Sequence, residues 1–282
     1  MNIKEVRELL DKYNLNAKKG FGQNFLIDDN ILKKIAFSLD DKDYQAVIEV
    51  GPGLGSLTRY LVKSYPQVLC YEIDQDMIEV LNDTILEHNL TIKEGDFLKS
   101  NVEKDIETYF GKQNVCLIAN LPYYITSPIL LKLLEEVPSV KDIVIMIQKE
   151  VADRFVAKPN TKDYNALSVL IQYFTNAEKL FDVSPSAFIP APKVSSSVIH
   201  LSYKDKVSLS GDDLTFFLKF NRNIFKQRRK TLVNNICASF NISKEDTSKI
   251  LLENGFKDTI RSEALSVEEI VNKLLEEPIG TK

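Results

Sequence analysis

The sequence predicts an α/β fold built on a mostly parallel sheet, followed by a separate all-helical segment. Three observations carry that expectation. Strand-length apolar runs alternate with helix-length amphipathic ones from about residue 46 to 148, a glycine-rich turn closes the first of those strands, and beyond Ser210 every periodic stretch is helical. Strands alternating with helices of this length imply βαβ units with right-handed crossovers.

Each element follows from its own pattern. Residues 1–16 predict a short helix with an apolar stripe at Val6, Leu9, Leu10 and Tyr13. A basic, glycine-containing loop, Lys18-Lys19-Gly20-Phe21-Gly22, leads to Asp28-Asp29, which cap a helix carrying Ile31, Leu32, Ile35 and Leu39. Strands are expected over 46–50, 68–73, 90–94, 115–119 and 143–148, with helices over 56–64 and 77–88. Residues 178–183 and 195–202 read as an antiparallel pair closing one sheet edge, joined by a proline-rich loop. Four helices follow, over 212–225, 229–240, 244–254 and 267–276, with Ser210 and Ser243 as N-caps and Gly255 as a C-terminal stop. The division expected is residues 1–207 and 208–282.

Composition narrows the chemistry. Hydrophobic residues at 44% and charged residues at 27% fit an ordinary globular protein. No apolar run approaches the ~20 residues of a membrane helix, and the first residues lack an apolar signal core, so a cytoplasmic protein is expected. Cys70, Cys116 and Cys237 are far apart and not in CxxC spacing, so neither a disulfide framework nor a zinc site is expected. His88 and His200 have no ligand-type spacing, so no metal and no histidine base are expected. The net charge of −4 speaks against a uniformly basic nucleic-acid binder, though not against a local basic patch.

Glu49-Val50-Gly51-Pro52-Gly53-Leu54-Gly55 lies at the carboxyl end of the first strand, where doubly wound sheets bind ligands. Its GxGxG spacing, the N–H lost at Pro52 and the acidic Glu49 suit a pyrophosphate poorly. Glu72, with Ile73 after the second strand, is placed to accept ribose hydroxyls. Asp96 after the third is placed to accept an adenine amino group, with Phe97 beside it for stacking. The residues therefore point to an adenosine-containing cofactor, S-adenosylmethionine rather than a dinucleotide; a nicotinamide-dependent dehydrogenase is disfavoured.

Asn120-Leu121-Pro122-Tyr123 follows the fourth strand at the same rim. An exocyclic aryl amine is a poor nucleophile until it pyramidalises, and two acceptors, the Asn120 side-chain oxygen and the Leu121 carbonyl, would favour that geometry. Pro122 stiffens the turn, and Tyr123 offers a face for a base. Phe188, in the proline-rich loop, is placed to cover the other face, which requires a base out of its stack.

At these residues the sequence resembles the ribosomal RNA adenine N6,N6-dimethyltransferases, the KsgA/RsmA family. The match includes Gly22-Gln23-Asn24-Phe25-Leu26, the glycine turn, Asn120-Leu121-Pro122-Tyr123, Gln148-Lys149-Glu150-Val151-Ala152, Phe188-Ile189-Pro190-Ala191-Pro192-Lys193-Val194 and Arg228-Arg229-Lys230-Thr231-Leu232. The resemblance implies a Rossmann-like class I methyltransferase, a mostly parallel seven-stranded sheet with an antiparallel edge hairpin plus a small all-α C-terminal domain. It also implies that Asn24, Leu26, Gly51, Glu72, Asp96 and Asn120 touch S-adenosylmethionine; Gly53 joins them from the glycine turn itself. The substrate would be two adjacent adenosines in the 3′-terminal hairpin of small-subunit ribosomal RNA, within immature 30S particles. The chain departs from the family's common residues at Gly20, Tyr124 and Ser195. Alternatives are the large-subunit 23S dimethyltransferase of the macrolide-resistance type and a non-catalytic small-subunit assembly factor.

Between Phe216 and Ile236 there are six basic residues and no acidic one. On a continuous helix Lys219, Arg222, Lys226, Arg229 and Lys230 would share an arc of roughly 100°, with Arg228 beside them, while Phe217, Phe220 and Ile224 face a core. This stripe, with Lys18, Lys19, Arg154 and Lys193 on loops near the rim, is the expected RNA-phosphate track. No apolar seam demands an oligomer, so a monomer is expected.

Overall fold

The structure is a computed structural model and describes residues 1–16 and 23–274. In chain order the elements are α1 (Ile3–Lys12), β1 (Phe25–Leu26), α2 (Asp29–Ala36), β2 (Ala46–Val50), α3 (Thr58–Ser64), β3 (Gln67–Glu72), α4 (Gln75–Thr84) and β4 (Leu90–Glu94). Then come α5 (Val102–Phe110), β5 (Val115–Asn120), α6 (Thr126–Glu136), β6 (Val140–Gln148), α7 (Lys149–Phe155), α8 (Ala166–Phe174), β7 (Thr175–Val183), β8 (Phe188–Ile189) and β9 (Ser196–Tyr203). Helices α9 (Gly211–Ile224), α10 (Leu232–Phe240), α11 (Lys244–Glu253) and α12 (Val267–Leu274) complete the described chain.

Seven strands form one sheet in the order β4-β3-β2-β5-β6-β9-β7. Strands β4, β3, β2, β5 and β6 are parallel, and β9 runs antiparallel to β6. The two late strands are neighbours as expected, but β9 lies inside and β7 forms the edge. The chain reverses direction across the sheet between β2 and β5, and the crevice outside such a switch point is where α/β sheets take ligands. Strands buried on both faces read as unbroken apolar runs; all five residues of β2 are buried.

The chain divides into two compact units. The first holds Met1–Ala152 and Glu178–Ser202, the second Asp153–Ala177 and Tyr203–Lys282. The expected boundary after residue 207 therefore falls close to one division, but residues 153–177 group with the helices rather than with the sheet. The reason is visible in α8, an apolar helix whose backbone carbonyl at Ala166 accepts from the buried Asn221 side chain of α9 at 2.8 Å. In the second unit α8 packs on α9 and α12, and α10 packs on α9 and α11. Phe217, Phe220 and Ile224 are fully buried there, as the sequence pattern expects.

Local chemistry sets the ends. Asp28 caps α2 by accepting from the N–H groups of Asn30 and Ile31. Helix α4 stops at Thr84, four residues short of the expected end, because Ile85 turns extended and is buried against the glycine loop, leaving Leu86 exposed. Ser243 accepts from Asp246 N–H, whereas Ser210 occupies the N-cap of α9 without a side-chain bond. Buried Asp142, at the start of β6, accepts from Lys42 Nζ at 2.7 Å and from Tyr44 OH, and pairs with His200 on β9. His200 is thus a sheet residue in an ionic cluster. No helix among the described residues is long and apolar enough to cross a membrane, and no group of acidic, histidine or cysteine side chains there could hold a metal.

Candidate active site

A cleft opens outside the carboxyl ends of β2, β3, β4 and β5. Its walls include Asn24, Leu26, Glu49, Gly51, Gly53, Glu72, Ile73, Asp96, Phe97, Asn120, Leu121, Pro122, Tyr123 and Phe188. Every cofactor and reactive residue expected from the sequence is therefore brought to one cavity, from segments up to 164 residues apart (Asn24 to Phe188). Among the described residues the lining contains three carboxylates and no lysine, arginine or histidine.

Gly51 and Gly53 adopt φ of 69° and 56°, left-handed values that cost a side chain dearly. A Cβ on Gly51 would stand 3.7 Å from the Pro122 ring, so the glycine turn and the Asn120–Tyr123 motif are packed against each other. Glu72, buried at the end of β3, accepts from the N–H groups of Gly53 at 3.0 Å, Ile73 at 2.9 Å and Asp74 at 3.0 Å. A carboxylate has about four lone-pair sites, so one stays open. A single hydroxyl fits there without change, while gripping two requires the Gly53 N–H to let go. Burial pushes the Glu72 carboxyl up, against the three backbone donors that hold it down.

Glu49 is more deeply enclosed. One oxygen accepts from Thr58 Oγ1 at 2.7 Å and from the Cys70 thiol at 3.5 Å. Burial, with a smaller push from the Glu72 charge, raises its carboxyl to about 7. Asp96 caps a 3₁₀ turn through Leu98 N–H, and Lys99 approaches its other oxygen at 4.0 Å. The Phe97 ring meets Tyr71 edge-on at 5.0 Å and is 4% exposed, so it forms cavity wall.

On the reactive side, Leu121 N–H donates to Met146 O at 3.2 Å, which ties the motif to β6. The Asn120 side chain makes no hydrogen bond among the described residues and lies on the cavity. Tyr123 lines the cavity, and its hydroxyl bonds Ser196 Oγ at 2.6 Å. Phe188 differs from expectation: it sits in β8, paired with Leu26 of β1, and is 3% exposed within the core. It forms a wall of the cleft, not a free loop residue.

A model of the ribosomal RNA adenine dimethylases matches residues 14–273. The chain belongs to the ribosomal RNA adenine dimethylase family. It is accordingly an enzyme, a ribosomal RNA methyltransferase whose methyl groups come from S-adenosylmethionine. The ribosomal RNA small subunit methyltransferase A of Bacillus cytotoxicus is 44% identical over 269 residues, 94% of this chain and 92% of that protein. That of Geobacillus sp. (strain WCH70) is 42% identical over the same shares. The structure of a dimethyladenosine transferase from Plasmodium falciparum aligns with a TM-score of 0.73 and 29% identity, over 89% of this chain and 96% of that one.

The dimethylase's basic residues are arranged differently from the sequence expectation. Helix α9 ends at Ile224 and α10 begins at Leu232, because Thr231 turns extended and caps α10 by accepting from Asn234 N–H. Only Lys219 and Arg222 are helical; Lys226, Arg228, Arg229 and Lys230 stand exposed in the connecting loop, so the single arc does not exist. Arg228 is tethered, donating to Lys162 O at 2.7 Å and lying 3.9 Å from a Glu263 oxygen. Lys219 lies over the Phe240 ring at 5.8 Å. Arg154 is in helix α7 rather than a loop, and Lys193 is exposed. Lys18 and Lys19 lie outside the described residues. Sequence reasoning missed Gln23, whose amide donates to Asp74, and Tyr124, a 57% exposed lining residue whose position after Tyr123 was the available signal.

Proposed function

We propose that this dimethylase places two methyl groups on N6 of each of two adjacent adenosines in the 3′-terminal hairpin of small-subunit ribosomal RNA. It would act on immature 30S particles in the cytoplasm, as a monomer. The observation that carries the reading is a cleft whose described lining holds three carboxylates and no cationic side chain, with Asn120 on its wall. That lining suits a cationic, phosphate-free adenosyl ligand and repels a pyrophosphate.

S-adenosylmethionine, when bound, supplies a methyl group on a positively charged sulfur. Glu72 accepts a ribose hydroxyl, Asp96 the adenine amino group, and Glu49, ionised, faces the ligand's positive charge. Asn120 Oδ1 and the Leu121 carbonyl accept the two amino hydrogens of the target adenine, drawing the nitrogen lone pair out of the ring. Pro122 holds that carbonyl in place, and the Tyr123 ring supports the base. The new N–C bond would form as the sulfonium S–CH3 bond breaks, with neutral S-adenosylhomocysteine leaving. The attacked nitrogen would turn acidic and give its proton to water, so positioning and charge complementarity suffice without a strong base. Lys226, Arg229, Lys230, Lys219 and Arg222 contribute phosphate contacts from the helical unit.

The test is incubation with S-adenosylmethionine and immature 30S particles, 50S particles or naked RNA, followed by nucleoside analysis. N6,N6-dimethyladenosine is expected in the small-subunit material alone, and methylation confined to 50S would overturn the substrate. Asn120→Ala should lower turnover by about 10²- to 10³-fold while leaving subunit binding intact.

A further inference from the structure

Ser196 and Ser197 begin β9 and Ser195 precedes it, and the alternation of a strand sends Ser196 and Ser197 to different neighbours. The Ser195 carbonyl accepts from Lys149 N–H at 3.0 Å. Ser197 Oγ donates to Asp182 at 2.7 Å, and Asp182 also pairs with Lys149 at 2.5 Å. Ser196, 0% exposed and opposite Gln148 of β6, turns the other way and bonds the Tyr123 hydroxyl at 2.6 Å. The start of β9 is therefore fastened to β6, α7 and β7, and Ser196 offers a fixed point inside it.

Tyr123 needs such a point. It opens a 3₁₀ turn that has no side-chain cap, and it lines the cleft. Ser196 is not among the residues that line the cleft, so the phenol hydroxyl is held by a partner outside the cleft wall. A buried hydroxyl pair costs free energy unless bonded, and an apolar residue would fill the same space without that cost. We infer that Ser196 is a positioning residue: its hydroxyl fixes both side-chain torsions of Tyr123 and so sets the tilt of the aromatic face on which the target base rests. This rests on the reading of Tyr123 as that face.

Two measurements separate the inference from the reading it rests on. The first needs no activity: ¹⁹F spectra of protein carrying 3-fluorotyrosine, with the Tyr123 resonance assigned by its loss in Tyr123→Phe. In Ser196→Ala that resonance should shift or broaden while the other ten tyrosines stay in place; an unmoved Tyr123 resonance overturns the inference. The second compares Ser196→Ala, Tyr123→Phe and the double variant on immature 30S. Each should lose kcat by the same factor, roughly 10- to 100-fold, the double no more than either single, with S-adenosylhomocysteine affinity unchanged. Losses that multiply in the double, or kcat within about two-fold of wild type in either single, overturn it. Should Ser196→Ala fail to fold, Tyr123→Phe keeps Ser196 and carries the kinetic arm. Absence of any dimethyladenosine from wild type would count against the proposed function, and the spectra would still decide the role of Ser196.

Discussion

At the scale of single residues, carboxylates set the character of the site. Glu49 is held with its carboxyl raised to about 7 because burial penalises the charged form. A group raised in the folded state stabilises the fold below its unfolded value, near 4.5, and loses that contribution as pH climbs through about 7. At pH 8 the buried charge costs on the order of 3 kcal/mol. Glu49→Gln should therefore gain stability over wild type as pH rises from 5.5 to 8 in urea unfolding without ligand. A difference that stays flat across that range would contradict this account.

At the scale of elements, the glycine turn is locked by what surrounds it. Gly55 has φ of 77°, and a Cβ there would lie 2.6 Å from Ile85 and 2.8 Å from Leu81. Gly55→Ala thus combines backbone strain with overpacking against the end of α4, and should cost about 2–4 kcal/mol in urea unfolding. Cofactor affinity should fall with it, since the same turn carries Gly53 N–H to Glu72. The β1–β8 pair is a second such lock, joining Leu26 to Phe188 across the cleft wall.

For the molecule as a whole, the proposed phosphate track predicts that affinity for RNA depends on cations standing free of internal partners. Replacing Lys226, Arg229 and Lys230 together by alanine should weaken binding to immature 30S and reduce the salt slope of log K by about 2–3, near 0.7–0.9 per phosphate contact. Arg228→Ala should act differently. Its guanidinium ties the loop to Lys162 and Glu263, so the expected loss is about 1–2 kcal/mol of stability with little change in slope. Equal slopes for the two variants would show that the tether is not what separates them.

The sequence by itself determined the fold class and the cofactor class, and it singled out the motif proposed to react. Strand period, glycine spacing, strand-end carboxylates and Asn120-Leu121-Pro122-Tyr123 are short-range features, fixed by residues within a turn or two of one another. Tertiary structure alone decided which distant segments share a wall. It placed Phe188 against Leu26, moved residues 153–177 to the helical unit, ended α4 at Thr84 and broke the basic arc at Ile224. It also set Ser196 beneath Tyr123, 73 residues away in sequence. Such outcomes depend on which buried surface each segment finds, and no local periodicity encodes that.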